Sequence, residues 1–419
     1  MAPPMSPFRL CRITRGGLLR GLLGLLLVVS IGSSGALFAA NQSITGVKKE
    51  EGGFDGDAPT AILMEASTGS ILFEKNADEM RAPSSMMKLM TAEVVFHAVR
   101  EGQVKLTDEY RISENAWRRG GAPSGTSTMF AAINSKVSVD DLLHGAIIPS
   151  GNDACIALAE GIAGNEKIFA SDFMTKRARE LGLVKSTFGN ANGLPDPGNK
   201  MTVRELAMLA RHIILDYPEF YKLFGEKEFT WNKIRQQNRN PLLNSLDGAD
   251  GLKTGYTKEG GYGMVGSAVQ NGIRLIVVVN GLEDPEDRAN EAKKMLEWGY
   301  RNFEWRNLFA AQQPLGYARV FGGESRSVAL TSPEPVKVMV QKNGNEKLIA
   351  RVIYKGPVRA PIQAGQPIGV VRIWRGANVA VEQPLYAAES VATGSTVRRA
   401  IDGASELVIG MFRAGVEKL

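Results

Sequence analysis

The sequence predicts an α/β (α+β) fold in which helices pack on an antiparallel sheet, followed by a small all-β module and a terminal amphipathic helix. Two strand-like runs, Tyr262–Val269 and Ile273–Asn280, are joined by Asn271-Gly272, the dipeptide most typical of a two-residue hairpin turn. Helical patterns dominate before this hairpin, whereas short apolar runs separated by Gly, Pro and Asn dominate after residue 306. We therefore expect one layered domain and one smaller β-rich domain.

Individual helices follow from apolar spacing and capping signals. Met86–Val99 is apolar over most of its circumference, which predicts a buried helix. Thr202 and Glu205 precede Leu206–Leu215 in the arrangement of a capping box, which predicts a helix start. Asp287–Trp305 carries small and apolar residues at helical spacing and predicts a further helix.

Further strands complete the two predicted sheets. Ala61–Glu65 and Ile71–Glu74 flank a turn-forming Ser67-Thr68-Gly69 and predict a hairpin. Gly251–Thr254 lies just before the Asn271-Gly272 hairpin and is expected to be a neighbouring strand. The β-rich domain is predicted from the runs Val328–Leu330, Val336–Val340, Leu348–Tyr354, Ile368–Trp374 and Val379–Gln383.

The first forty residues predict a secretory signal peptide. Four arginines with no acidic residue precede the apolar run Leu22–Ile31, and small residues follow up to Ala39-Ala40, where we expect cleavage. A flexible, glycine-rich leader is expected over 41–58, the layered domain over 59–305 and the β-rich domain over 306–395.

Export changes the charge and cysteine arguments. Four of the 50 lysines and arginines lie in the signal, so the formal charge falls from +6 to about +2, which does not favour nucleic-acid binding. Cys11 would leave with the signal, so the mature chain would keep Cys155 alone and form no internal disulfide. Because Cys155 sits in an apolar run, we expect a buried structural thiol.

The last segment, 396–419, predicts an amphipathic helix that binds a membrane surface in plane, with packing on its own domain as the alternative. Basic residues lie near or across from a broad apolar face, which carries Ile401, Ala404, Val408, Met411, Phe412, Gly415 and Leu419. Together with export, this helix predicts a peripheral protein on the periplasmic face of the cytoplasmic membrane.

Ser85 and Lys88 form the first of three motifs that predict an acyl-transfer site. Three residues apart at a helix start, their side chains project on one face. A serine hydroxyl needs a base to become a nucleophile, and an amine serves as that base only when it is neutral. Burial lowers a lysine pKa, as does a nearby cation, for which Lys253 is the candidate. Taken alone, the pair also fits a helix cap beside a solvated lysine.

Ser150-Gly151-Asn152, the second motif, opens an apolar run. Ser150 is a candidate to relay a proton to the leaving group, and Asn152 is a candidate to hold a substrate amide. A second match to the same pattern, Ser113-Glu114-Asn115, lies in a polar stretch, where we expect helix capping instead.

The third motif is Lys253-Thr254-Gly255. On a strand it offers a charge, a hydroxyl and a flat backbone with no Cβ, which suits a peptide that ends in a carboxylate. An ordinary strand end with a turn glycine is the alternative.

Residues that the chain lacks disfavour other enzyme classes. It has three histidines and no G-x-S-x-G elbow, which disfavours a Ser-His-Asp hydrolase. It has no H-E-x-x-H pattern, no clustered Cys and His, and no phosphate-binding P-loop. We therefore expect neither a metal nor an organic cofactor.

With the three motifs in this order, the sequence resembles the D-alanyl-D-alanine carboxypeptidases, which are low-molecular-mass, class C, serine-type penicillin-binding proteins. The resemblance runs from about Thr60 to the C-terminus and is carried by Pro83–Thr91, Ile148–Ala157, Glu228–Asn240, Asp250–Gly261 and Arg288–Gly299. It implies a serine β-lactamase/penicillin-binding transpeptidase-like domain, so that 59–305 would be a penicillin-binding D,D-peptidase domain.

The resemblance also implies a mechanism. Ser85 would attack the carbonyl between the two terminal D-alanines of a peptidoglycan pentapeptide, with Lys88 as the general base. Ser150 would pass a proton to the departing D-alanine, and water would then hydrolyse the acyl-enzyme. β-Lactams would mimic the dipeptide and trap Ser85 as inhibitors.

Substrate-binding roles are implied for the basic strand and its surroundings. Lys253, Thr254 and Arg288 would bind the terminal carboxylate, and Arg239 is a weaker candidate near the site. The backbone N–H of Tyr256, with that of the nucleophile, would form the oxyanion hole. Tyr256 stands where some relatives have a histidine, so the resemblance implies that the chemistry survives but that substrate fit or deacylation rate differs.

Three alternatives stay open. A β-lactamase is disfavoured because the second motif is not S-D-N and because Asn190–Leu194 contains no glutamate to serve as a deacylation base. A D,D-endopeptidase that acts on cross-links is a closer alternative. An inactive penicillin-binding scaffold is the third, and the intact motifs argue against it.

Overall fold

The computed structural model describes residues 9–11, 53–344, 347–376 and 378–404. Most of the predicted signal peptide and leader, and residues 405–419 of the predicted amphipathic helix, lie outside these ranges. The strands, in chain order, are Arg9–Cys11 (β1), Thr60–Glu65 (β2), Ile71–Lys75 (β3), Glu109–Arg111 (β4), Lys136–Ser138 (β5), Glu228–Trp231 (β6), Ile234–Gln237 (β7), Ala249–Thr257 (β8), Gly261–Gln270 (β9), Ile273–Leu282 (β10), Phe303–Phe309 (β11), Gly316–Phe321 (β12), Ser327–Thr331 (β13), Val336–Gln341 (β14), Leu348–Tyr354 (β15), Val358–Arg359 (β16), Pro367–Arg375 (β17) and Asn378–Ala387 (β18).

The α-helices are Lys88–Arg100 (α1), Glu114–Gly120 (α2), Val139–Ile147 (α3), Asn152–Ala163 (α4), Glu166–Ile168 (α5), Thr175–Glu180 (α6), Val203–Asp216 (α7), Pro218–Tyr221 (α8), Leu242–Ser245 (α9) and Pro285–Asn302 (α10). Short 3-10 turns occupy Ser84–Met87, Ala122–Ser124 and Lys222–Gly225, and a π-helical turn occupies Phe169–Met174.

An antiparallel sheet with the strand order β3-β2-β10-β9-β8 lies at the centre of the layered domain. Alternate residues of β10 point to opposite faces, so Ile276 joins the core beneath α1, α3, α4 and α7, whereas Val277 joins the core beneath α10. Because both faces are covered, the strand is a continuous apolar run rather than an alternating one. The predicted β9–β10 hairpin is confirmed, with Ile273 opposite Gln270 across the Asn271-Gly272 turn.

The predicted start of α7 is confirmed, whereas the Glu205 half of its capping box and one predicted helix end are wrong. The Thr202 hydroxyl does cap α7 by accepting from the Glu205 N–H at 3.0 Å, but the Glu205 carboxylate instead accepts from the N–H groups of Lys185 and Ser186, at 2.7 Å each. The helix predicted to reach Trp305 ends at Asn302, because the residues that follow pair as β11 with β14.

The described end of the predicted leader is packed against the layered domain. The Phe54 ring lies 5.2 Å from that of Phe73 and 5.5 Å from that of Trp298, and Ala58 is fully buried. The flexible leader is therefore wrong for residues 53–58, because an aromatic cluster covers α10 there; residues 41–52 lie outside the description.

The C-terminal domain is the predicted all-β module. Its main sheet has the order β1-β15-β17-β18-β13-β12-β16 around a core of its own, and Arg9–Cys11 pairs along β15. Arg375 donates to the Ile71 carbonyl at 3.1 Å and so ties this domain to β3. Residues 396–404 are helical, and the Asp402 carboxylate accepts from the Gly322 N–H at 2.8 Å.

Candidate active site

The turn that carries Ser85 is wedged against the sheet. Ser84–Met87 forms a 3-10 turn before α1, and Ser84 adopts a left-handed φ of 51° while its hydroxyl lies 2.9 Å from the Thr257 hydroxyl. A Cβ at Gly255 would lie 3.0 Å from the Pro83 carbonyl oxygen. Glycine at this position of β8 therefore lets the strand lie directly beside the turn.

Lys88 points back onto this turn from the start of α1. It is 2 % exposed, and its Nζ lies 2.8 Å from Ser85 Oγ, 2.7 Å from Asn152 Oδ1 and 2.7 Å from the Asn192 carbonyl oxygen. Two of these neighbours are carbonyl oxygens, which only accept hydrogen bonds. A neutral amine can therefore satisfy both with its two N–H bonds and present its lone pair to the serine hydroxyl.

Burial sets the charge state of the two lysines. It lowers the pKa of Lys88 to about 8, and the positive charge of Arg239 acts in the same direction. Burial also lowers the pKa of Lys253 well below its ordinary range, and the charges of Lys88 and Arg239 add to that shift. Repulsion between the two lysines is therefore present, and Arg239, whose guanidinium keeps its charge, is a further cation that lowers the pKa of both.

The second motif forms the opposite wall of the site. Ser150 is buried with a left-handed φ of 66°, and its hydroxyl has no hydrogen-bond partner among the described residues. Asn152 opens α4 and donates from Nδ2 to the Thr126 hydroxyl at 2.9 Å while its Oδ1 accepts from Lys88. Its amide orientation is thus fixed from both ends.

Buried Asp153 holds the loop beside this motif. Its carboxylate accepts from the Thr128 hydroxyl at 2.6 Å and from the N–H groups of Met129 and Ala131 at 2.9 and 3.2 Å. Burial raises the pKa of Asp153 even though these hydrogen bonds favour its charged form. Together the bonds fix the loop that supplies Thr126 to Asn152.

The basic strand and two arginines complete the site. Lys253 and Thr254 are buried on β8, and Arg239 donates from Nε to the Pro149 carbonyl at 2.9 Å, next to the second motif. Arg288 lies over the Tyr262 ring, 5.6 Å from its centroid, and its buried Nε has no partner among the described residues. Burial lowers the pKa of both arginines.

Tyr256 follows the third motif at the edge of β8. Its ring is half exposed and stacks on the ring of Tyr262, with 4.1 Å between the two centroids. The two residues are directly opposite each other where β8 pairs with β9. The side chain thus faces outward, and only the backbone of Tyr256 continues the strand into the site.

The loop Asn190–Leu194, considered in the sequence only for its lack of a deacylation base, makes contacts in the site that were not predicted. Its Asn192 carbonyl accepts from Lys88, and Thr91 on α1 donates to the Ala191 carbonyl at 2.6 Å. Gly193 has a φ of 80°, and a Cβ there would lie 2.0 Å from the Ser84 carbonyl oxygen. Any residue type can supply a backbone carbonyl, so the sequence does not mark this contact. Gly193 was the one available signal, because a glycine often marks a close approach of two backbone segments.

Thr126 was also left out of the predicted catalytic set, although its hydroxyl contacts Asn152. The rejected match behaves as predicted: the Ser113 hydroxyl accepts from the Ala116 N–H at 2.9 Å and caps α2. Cys155 is fully buried, as predicted, and burial raises its pKa to about 11. Across the described residues, His, Cys, Asp and Glu side chains form no group of three or more that could hold a metal ion.

Comparisons with known proteins identify the family to which this chain belongs. A family model described as D-alanyl-D-alanine carboxypeptidase matches residues 46–283, which is more than half of the chain. The chain belongs to the D-alanyl-D-alanine carboxypeptidase family. A second family model, described as the C-terminal domain of penicillin-binding protein 5, matches residues 303–393.

Individual members of this carboxypeptidase family are similar over most of the chain. D-alanyl-D-alanine carboxypeptidase DacC of Escherichia coli is 40% identical over 349 residues, which cover 83% of this chain and 87% of the relative. DacA of Haemophilus influenzae is 40% identical over 317 residues, 75% of this chain and 80% of the relative. Penicillin-binding protein 5 from Haemophilus influenzae superposes with a TM-score of 0.71 at 37% identity, covering 83% of this chain and all of that one.

Proposed function

We propose that this carboxypeptidase removes the C-terminal D-alanine from peptidoglycan pentapeptides through an acyl-enzyme on Ser85, and that β-lactams acylate the same serine. The observation that carries the proposal is the buried Lys88 amine beside the Ser85 hydroxyl. Because its pKa lies near 8, about a tenth of Lys88 is neutral at pH 7, and the fraction rises with pH.

In the acylation step, Lys88 takes the hydroxyl proton as Ser85 Oγ bonds to the carbonyl carbon between the two D-alanines. The C–N bond then breaks, and D-alanine leaves with a proton that reaches its nitrogen through Ser150. The backbone N–H groups of Ser85 and Tyr256 are assigned to the developing oxyanion. In the second step, water attacks the ester, Ser85 regains its proton, and the shortened peptide is released.

The terminal carboxylate of the substrate is assigned to Lys253, Thr254 and Arg288. Arg288 offers a buried N–H without a partner among the described residues, and a carboxylate would satisfy it. The same anion would favour the charged form of Lys253, which burial disfavours in the empty site. Binding energy is therefore concentrated on the end of the peptide, as removal of one terminal residue requires.

Trapping with benzylpenicillin tests the acyl-enzyme. The purified protein is expected to gain the mass of one penicillin, with the added mass mapping to the peptide that contains Ser85. Ser113→Ala, the variant at the helix cap, should be labelled equally. Labelling of another residue, or none in the folded protein, would contradict the proposal.

We also propose that the protein is exported and lies peripherally on the periplasmic face of the cytoplasmic membrane. In the helical residues 396–404, Val397 is 71 % exposed and Ile401 is 58 % exposed, and Arg398 and Arg399 lie between them in the sequence. Exposed apolar side chains next to basic ones suit an in-plane helix at an anionic surface. Among the helices of the described residues, none is long and apolar enough to span a membrane.

Sedimentation with membranes tests this location. Deleting 396–419, or replacing Val397 and Ile401 together by Asp, is expected to move the protein to the soluble fraction with its penicillin labelling unchanged. Membrane association that survives both changes would contradict the proposal. N-terminal sequencing of the exported protein should begin near residue 41.

A further inference from the structure

A buried carboxylate, Glu166, lies behind the loop that contacts Lys88. Its side chain is 6 % exposed, and Oε1 accepts from Asn192 Nδ2 at 3.0 Å and from the Ala191 N–H at 3.3 Å. Its other oxygen, Oε2, forms an ion pair with Arg119 at 2.7 Å. Both oxygens of this carboxylate are therefore engaged, one by the loop and one by helix α2.

On the loop side, Glu166 is connected to the proposed general base Lys88 through Asn192. Asn192 is fully buried, its Nδ2 ends on Glu166, and its own carbonyl oxygen lies 2.7 Å from Lys88 Nζ. Its Oδ1 accepts from the Leu194 N–H at 2.9 Å. The side chain of Asn192 is thus held on both sides while its backbone oxygen faces the lysine.

On the α2 side, the Arg119–Glu166 ion pair lies next to Asn152, whose Oδ1 is the other oxygen that accepts from Lys88. Arg119 lies in the last turn of α2, and a Cβ at the next residue, Gly120, would lie 2.5 Å from the carbonyl carbon of Asn152. Helix α2 therefore rests directly on the backbone of the residue whose Oδ1 accepts from Lys88. The Arg119–Glu166 pair links the two parts of the chain that supply these two oxygens.

We infer that Glu166, with Arg119, is a positioning residue for the general base, because it sets the Asn192 carbonyl at hydrogen-bond distance from Lys88 Nζ. The inference rests on the proposed acyl-enzyme function of this site. Glu166 does not act on the substrate itself, since its two oxygens are occupied by Asn192, Ala191 and Arg119. Its role is to keep the amine aligned with the serine hydroxyl.

The inference is tested by the pH dependence of acylation by a fluorescent penicillin, measured on the full mature chain. Glu166→Ala is expected to lower the plateau rate about tenfold, because a small misplacement of a reacting group is costly. It should also move the acid limb to lower pH, because a carbonyl acceptor favours the charged form of Lys88 and losing it lowers the Lys88 pKa. A purely structural defect would lower the rate without moving the limb.

Two further variants keep the test decisive if Glu166→Ala does not fold. Glu166→Gln keeps the oxygen that accepts from Asn192 and Ala191, so it should retain the wild-type limb and a rate within about threefold. Arg119→Ala changes a half-exposed side chain and is expected to move the limb in the direction of Glu166→Ala, with a smaller loss of rate.

Glu160→Ala is the matched control. Glu160 also links α4 to α2, by accepting from Asn115 Nδ2 at 2.8 Å, but it does not contact the Asn190–Leu194 loop. Glu160→Ala should leave both the acylation rate and the position of the acid limb unchanged. The inference would be overturned if folded Glu166→Ala and Arg119→Ala kept the acid limb of the pH–rate profile at its wild-type position. It would also be overturned if Glu160→Ala moved that limb by the same amount. Absence of labelling in the wild type would instead overturn the proposed function.

Discussion

Lys88 Nζ lies 2.8 Å from Ser85 Oγ, and the other two hydrogen bonds of the amine end on the side-chain oxygen of Asn152 and the backbone carbonyl oxygen of Asn192. Those two oxygens hold the nitrogen while leaving one direction open toward the serine. Burial lowers the lysine pKa to about 8, so the same arrangement that fixes the amine also makes its neutral form accessible. Position and protonation state thus follow from one packing arrangement.

Acylation by penicillin should follow the deprotonation of Lys88. We expect the rate to rise with pH and to reach half of its plateau near pH 8, because only the neutral amine can take the serine proton. Lys88→Arg should abolish acylation, since a guanidinium stays charged. Stopped-flow fluorescence measures both, with circular dichroism as the check that the fold persists across the pH range. A rate that is flat between pH 6 and 9 would contradict the assignment.

The two S-x-N matches should behave differently when their serines are replaced. Ser150→Ala removes a buried hydroxyl in the site and is expected to reduce D-alanine release at least about a hundredfold. Ser113→Ala removes the cap of α2, so it should cost about 1 kcal/mol in unfolding free energy and leave turnover unchanged. Equal turnover in the two variants would refute the choice of the second motif.

Thr126 should control the orientation of Asn152. Thr126→Val removes the oxygen that accepts from Asn152 Nδ2, so we expect a loss of about three- to tenfold in kcat/KM, the value of one neutral hydrogen bond. Thr126→Ser keeps the hydroxyl and should stay near wild type. If the serine variant loses as much as the valine variant, the hydroxyl contact is not the cause.

Substitution of Gly193 should be destabilising because of a steric collision, and Gly102 serves as the control for backbone strain alone. Gly193 and Gly102 both have left-handed φ values, 80° and 70°, but a Cβ at Gly102 meets nothing within 4 Å. Gly102→Ala should therefore cost about 1 kcal/mol from backbone strain alone. Gly193→Ala adds a collision with the Ser84 carbonyl, so it should lose more stability in urea unfolding and most of its acylation rate. Equal losses in the two variants would remove the role assigned to this contact.

Much of the fold and the three motifs could be predicted because apolar periodicity and hairpin signals are local. The Asn271-Gly272 turn and helix α1 are examples. The boundary near residue 302 was missed because helical spacing continues into a segment whose partner, β14, lies some thirty residues later. The capping box was half wrong because Glu205 found partners in the distant segment 185–186.

The site shows the same division between local and distant information. Residue types and spacing pointed to Ser85, Lys88 and Ser150, because their chemistry depends on the side chain. Asn192 contributes a backbone carbonyl, and any residue type has one. Nor could the sequence show that Arg239 adds a charge that lowers the Lys88 pKa, because that depends on distance and burial in the folded chain.

Release of D-alanine from a peptide that ends in D-Ala-D-Ala is the decisive test of the proposed carboxypeptidase reaction. The purified mature protein and its Ser85→Ala variant would be compared at pH 8, with a cross-linked muropeptide as a second substrate. We expect release of one D-alanine per peptide by the wild type and none by the variant. Cleavage of the cross-link alone, release that persists in Ser85→Ala, or no release by a folded wild type would contradict it.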